Sequence, residues 1–495
     1  MGQPARPAVL VVAVLAGTLT CCVGVPALVT APTQAPTQAP QANVSGPRWH
    51  IQLGAGDDVD VGHVVTRLCF AGAAPPRVGP EYGAALAHLS GPPRATDRYG
   101  RVVGLPLPVV DDGPDAGIDT SAVPAGACVA FSVDVEAAAK SINQRDVAEV
   151  LGRSVLISPD VWLWRPKPWP AGGANGTLTV DKPELVAAPF AVDDADDFIV
   201  PSRTFALQSY SALGRSSSRT QRLRRGAAFD IVRLGSLADG VDDDTLRAWI
   251  DVAIDDVAVP LLQFPAARLM IIVVPSSGSR PVLGGFLGRG GGPSALLLVG
   301  RGPMVVEDDP ETIDDQGRWV LTHELAHALL PPVVRSDAWF NEGLTTWHQE
   351  VLPAAAGRRP RDIAEAQLRV GLRTGAARSR HDGLSLERAC REMDARGSYQ
   401  HCYWGGAALM VLLAREVGDN GVFALVRAIH AQGAVDAVPQ PAAALLARAA
   451  ETAAEPVARR AARTLFGLWR RHRDGLFPAV DAPATDAGPV WPGHL

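Results

Sequence analysis

Two histidines and a glutamate set out as His323-Glu324-Leu325-Ala326-His327, with Trp339-Phe340-Asn341-Glu342-Gly343-Leu344 downstream, are the residues of this sequence whose types and spacing specify a reaction. On a helix, His323 and His327 stand one turn apart on one face. Their ring nitrogens can then converge on one zinc ion, with Glu324 beside a fourth, water-filled position. Zinc with three protein ligands lowers the pKa of its bound water to roughly 7 and polarises a carbonyl oxygen, while a neighbouring carboxylate takes the water's proton. The chemistry is metal-assisted hydrolysis.

The elements around these residues must bring them together. Val320, Leu321, Leu325, Ala326, Ala328, Leu329 and Leu330 make the first helix apolar on nearly all sides, so burial is expected. A buried His-Glu-His set without a metal partner would be costly, which weighs against two histidines placed only at a core edge. Pro331-Pro332 ends the helix. A second helix, starting near Asp337 or Asn341, carries Glu342, with Leu344, Trp347 and Val351 repeating on one face. Fourteen residues separate His327 from Glu342, enough to turn the chain back as two antiparallel helices. Glu342 can then supply the third ligand; the plainer alternative is a solvated first-turn glutamate favoured by the helix dipole.

HELAH followed by WFNEGL resembles the gluzincin superfamily of zinc metallopeptidases, which includes thermolysin-like enzymes and the aminopeptidase N group. The resemblance implies His323, His327 and Glu342 as zinc ligands, Glu324 as general base, and a peptide or protein as substrate. The connection from His327 to Glu342 is shorter than is usual in the aminopeptidase N group. Tyr403-Trp404-Gly405-Gly406-Ala407 is similar to that group's tyrosine-x-lysine-glycine-alanine helix start, with Gly405 in place of the lysine. It implies that Tyr403 stabilises the oxyanion, a role worth about 2.7–4 kcal/mol per donor; a packing tyrosine is the alternative. Nearby His401 reads as a surface or loop histidine, with assistance to Tyr403 as the alternative. The group reads a substrate's free amine with a glutamate in a GxMEN segment on the strand before the zinc helix. The stretch taken as its counterpart, 290–299, has no acidic residue. It reads as an edge strand able to pair with an extended peptide through main-chain hydrogen bonds. Internal cleavage is therefore the expectation, with an aminopeptidase of the same superfamily, or a catalytically degenerate fold serving as a binding scaffold, as alternatives.

A chain of 495 residues is too long for one core and should hold two or three domains. With 47% hydrophobic and 20% charged residues it reads as globular, and a net charge of −6 without a basic tract excludes nucleic acid as a partner. Arg6 followed by the apolar run 8–29 reads as a signal peptide or membrane anchor over 1–30, with Cys21 or Cys22 open to lipidation. The repeat of Ala, Pro, Thr and Gln over 31–40 makes 31–46 read as a Pro-rich linker. The protein should be exported, whether secreted, periplasmic or tethered at the cell surface.

Four cysteines lie beyond that region, and an even number in an exported chain favours disulfides over free buried thiols. The domain assignment pairs Cys69 with Cys128 and Cys390 with Cys402. Residues 47–220 read as a β-rich domain from short runs such as 127–133, 160–164 and 176–180. Trp162, Trp164 and Trp169 there read as packing residues rather than a carbohydrate-binding surface. Residues 225–475 read as the catalytic domain, with 476–495 as a tail. Within it, 242–259 reads as a helix and 268–274 as a buried strand. The glycine-rich stretch 284–292 reads as a lid or connector, and 295–299 as a strand. Helices follow over 362–372, 404–417, 420–430, 441–452 and 455–471. The fold class is α+β: a β-rich N-terminal domain, then the thermolysin-like small sheet and helical lobe that the resemblance implies.

Overall fold

The run Leu269-Met270-Ile271-Ile272-Val273-Val274 is apolar at every position, a pattern that fits a strand covered on both faces. In the computed structural model it is the middle strand of a five-stranded sheet. The structure describes residues 46–480 apart from 55–61, 82, 112, 143–147, 170–174, 203–207, 238–240, 280, 303–317 and 434–437. The expected signal or anchor of 1–30 and the end of the tail lie outside the described residues, as does the linker except Gly46.

The sheet comprises β1 (Ser218–Arg224), β2 (Ala227–Arg233), β3 (Arg268–Pro275), β4 (Val282–Gly288) and β5 (Ser294–Val299), in the order β1-β2-β3-β5-β4. The outer pairs are antiparallel and β2, β3 and β5 run parallel. Helix α1 (Asp243–Val257) crosses between β2 and β3 and is capped by the Asp242 side chain on the Thr245 N–H. Alternate residues of β3 serve two cores. Leu269, Ile271 and Val273 pack with the helices, whereas Met270, Ile272 and Val274 pack with Leu156, Tyr210 and Ala212 from the N-terminal half.

That half has an eight-stranded sheet and two four-stranded sheets around a core of its own. Strands His63–Cys69 and Cys128–Asp134 pair with Cys69 opposite Cys128, and the two are disulfide-bonded. Trp162 and Trp164 are fully buried there, and Trp169 stacks on Trp49 at 5.8 Å, so these rings are packing residues. The run 160–164 is not a strand. Pro159–Trp162 forms a short helix, since proline at its first position and Asp160 in its first turn suit a helix start.

The glycine-rich stretch also differs from its reading. Val282–Gly288 is β4, the edge strand, while the segment expected to be the edge, now β5, lies inside the sheet between β3 and β4. Glycine allows a strand here because a larger residue would collide: a Cβ on Gly285 would stand 2.6 Å from the Glu324 Cγ.

Beyond the sheet the chain is helical: α2 (Arg318–Ala326), α3 (Ala338–Ala355), α4 (Arg361–Asp382), α5 (Leu386–Arg391), α6 (Met393–Arg396), α7 (Tyr399–Val417), α8 (Asp419–His430), α9 (Ala442–Thr452) and α10 (Pro456–His472). Cys390 on α5 is bonded to Cys402 on α7, pinning the start of the helix that carries Tyr403. This sheet followed by a helical lobe is the α+β arrangement expected. No described helix is long and apolar enough to cross a membrane.

Candidate metal centre

The α-helical part of the HELAH segment ends at Ala326, and His327 opens a 3-10 turn that continues to Leu329. Leu330 is extended, as the two following prolines require. Arg289, just past β4, donates from its guanidinium to the carbonyls of His327 and Leu330 at the helix end. Burial pushes this guanidinium down to about 10.

After an eight-residue connection, α3 starts at Ala338 with Asp337 at its N-cap position. It lies against α2 and brings Glu342 to both histidines. The Glu342 Oε2 is 3.3 Å from His323 Nε2 and 3.5 Å from His327 Nε2. One ligand atom from each of the three residues lies within 4.8 Å of the others. The opposite ring nitrogens are engaged elsewhere: His323 Nδ1 is 2.9 Å from the Gln349 Oε1, and His327 Nδ1 is 3.1 Å from the Asn341 Oδ1. Both rings therefore turn Nε2 toward the same carboxylate. His323 and His327 are 3% and 8% exposed, which shields the cluster from water.

The set fits zinc. Two neutral imidazole nitrogens and one carboxylate oxygen are the donor types of a three-ligand catalytic site, and tetrahedral ligands about 2.0–2.1 Å from zinc stand roughly 3.3–3.4 Å from one another. Burial alone would raise the Glu342 carboxyl, but His327 and His323 beside it hold it below the usual carboxylate range.

Glu324 points from α2 against β4. Burial pushes it up to about 8, opposed by His323 and by the Leu287 main-chain N–H and reinforced by Glu342. Tyr403 lies on α7 with its ring 5.7 Å from that of His323 and nearly parallel to it. Burial and the Glu342 and Glu324 carboxylates raise its hydroxyl well above the ordinary value, so it stays protonated and able to donate. The structure thus brings together His323, Glu324, His327, Glu342 and Tyr403. His401 is neither a surface residue nor part of this group. It is fully buried on α7, with Nε2 2.5 Å from the Leu476 carbonyl.

Asn341, Thr345, Gln349 and Arg289 support the centre and were not singled out in the sequence. Thr345 Oγ1 stands 3.3 Å from His323 Nε2. For Asn341, Thr345 and Gln349, positions at Glu342 −1, +3 and +7 on one helical face were the available signal; Arg289 gave none.

Neither a protein-family model nor a curated protein matches the sequence. Among solved structures, the chain is similar to an aminopeptidase N family protein from Idiomarina loihiensis, at 14% identity and a TM-score of 0.51, covering 87% of this chain and 71% of that one. An M1 zinc metallopeptidase from Deinococcus radiodurans aligns at 14% identity with a TM-score of 0.49, covering 89% of this chain and 96% of that one. The first likeness shows that the chain shares the fold of an aminopeptidase N family protein.

Proposed function

We propose that this chain is a zinc-dependent peptidase of aminopeptidase type, in which His323, His327 and Glu342 hold the metal. The observation that carries this reading is the Glu342 carboxylate facing two buried Nε2 atoms whose partner nitrogens are already hydrogen-bonded. Zinc bound there supplies a polarised carbonyl and an activated water. Glu324, on the turn between the two histidines and against β4, takes the water's proton and returns it to the leaving amine. Tyr403, kept protonated, donates to the oxyanion. A degenerate scaffold would have no need of all five groups.

The aminopeptidase likeness supports removal of N-terminal residues over the internal cleavage expected from the sequence. One observation keeps internal cleavage as a second reading. Strand β4, which lies against Glu324, offers Gly284, Gly285, Phe286, Leu287 and Gly288, with no carboxylate for a free α-amine. Hydrolysis of one peptide with a free or an acetylated N-terminus separates the two. Stepwise trimming abolished by acetylation supports the aminopeptidase; cuts within the acetylated peptide overturn it. For domains over 47–220 and 225–475, each half has a core of its own and a third core is shared by both, while the expected boundary cuts through β1. The two disulfides favour an oxidising compartment, and with it export.

A further inference from the structure

A buried chain of hydrogen bonds runs outward from the first histidine. His323 Nδ1 lies 2.9 Å from the Gln349 Oε1, the Gln349 Nε2 donates to the Glu350 Oε1 at 3.0 Å, and the Arg359 Nη1 donates to the Glu350 Oε2 at 2.7 Å. Gln349, Glu350 and Arg359 are 6%, 3% and 7% exposed, so water cannot readily replace any member.

We infer that Gln349, Glu350 and Arg359 act as positioning residues that fix the tautomer of His323 by the direction in which this chain must point. Arg359 has only donors, so it needs Glu350 as an acceptor. A carboxylate is an acceptor on both oxygens, so Gln349 turns its amide NH2 toward Glu350 and its carbonyl oxygen toward His323. The oxygen accepts only from a protonated Nδ1. Nε2 is then left with its lone pair free on the side where Glu342 and His327 converge, the form a metal requires. A carboxylate is a common partner of a metal-bound histidine. Here a neutral amide takes that place, and the charge sits one residue further out, neutralised by Arg359.

The inference rests on the zinc reading, and it predicts a reversal. In Glu350→Gln, Arg359 claims the new amide's oxygen, so residue 350 turns its NH2 toward Gln349. Gln349 flips to accept it and presents its own NH2 to His323. The proton moves to Nε2, the wrong nitrogen. Exchanging the two side chains, Gln349→Glu with Glu350→Gln, restores the direction: Arg359 donates to residue 350, which donates to residue 349, which accepts from His323 Nδ1–H.

The test is the zinc dissociation constant, measured by competition with a chromogenic chelator for wild type, Glu350→Gln and the double exchange. Loss of an outer partner typically weakens zinc about 10–100-fold. Glu350→Gln, which touches no ligand, is expected to weaken zinc at least tenfold, and the double exchange to return it to within about threefold of wild type. Rescue by the exchange is the readout that a merely structural role would not give. Affinity of Glu350→Gln within twofold of wild type, or a double exchange no tighter than the single variant, overturns the inference. A wild-type protein that binds no zinc overturns the metal reading itself.

Discussion

Helices α3 and α7 touch through bare backbone. A Cβ on Gly406 would lie 2.1 Å from the Trp339 carbonyl oxygen and 2.7 Å from the Gly343 Cα, where ordinary contact is 3.4–4 Å. Gly406→Ala therefore forces the helices apart by roughly 1 Å in an interior that packs as densely as a crystal. Overpacking of this kind costs about 1–3 kcal/mol of stability. Helix α3 is held by Asn341 on His327 and by Gln349 on His323, so α7 is the one to withdraw. Tyr403, one turn before Gly406, moves with it. A misplacement of about 1 Å can cost on the order of 100-fold in rate, so kcat should fall roughly 10–100-fold, bounded by Tyr403→Phe, with KM and zinc content little changed. Steady-state kinetics, metal analysis and a denaturant melt on one preparation check this. A kcat within twofold of wild type would refute the claim that this glycine contact sets the tyrosine. Loss of zinc instead would show that α3 had yielded.

Replacing Cys390 and Cys402 together by serine should lower the unfolding free energy by about 2–3 kcal/mol, as expected for a crosslink closing a loop of this length, and reduce kcat through the freed start of α7; unchanged denaturant midpoints would contradict it. The Asp119 carboxyl is held down at about 2, from an ordinary 3.8, by the Ser121 main-chain N–H and by Arg77. Because the folded value is the lower one, its contribution to stability is present above 3.8 and lost as pH falls toward 2. Asp119→Asn should thus melt earlier than wild type at pH near 6 and converge with it in strong acid, and a constant difference at both pH values would count against this.

The cluster of His323, His327 and Glu342 proposed to hold zinc was legible in the sequence because its spacing is local. One helical turn relates His323 to His327, and the fourteen residues that follow suffice to return Glu342. Tyr403 came from a short similarity to a helix start, whose glycine proves to be the contact point with α3. Strand β4 was not legible, since Gly284, Gly285 and Gly288 carry no strand signal. What makes them a strand is pairing with β5 and the side chain of Glu324 above. His401 was misread because the segment that covers it, near Leu476, lies 75 residues away in sequence. The Gln349 chain escaped notice for a related reason. Its side chain sits on the Glu342 face of α3, but only the packing of α2 against α3 shows which histidine it meets.

The central claim is that His323, His327 and Glu342 hold a zinc ion beside the base Glu324. It is tested most directly by measuring zinc per chain and peptide hydrolysis on the same samples of wild type and Glu324→Gln. One zinc is expected in both proteins, with turnover lowered about 10²–10⁴-fold in the variant. A wild-type protein without zinc, or a Glu324→Gln variant that hydrolyses peptides as fast as wild type, would contradict it.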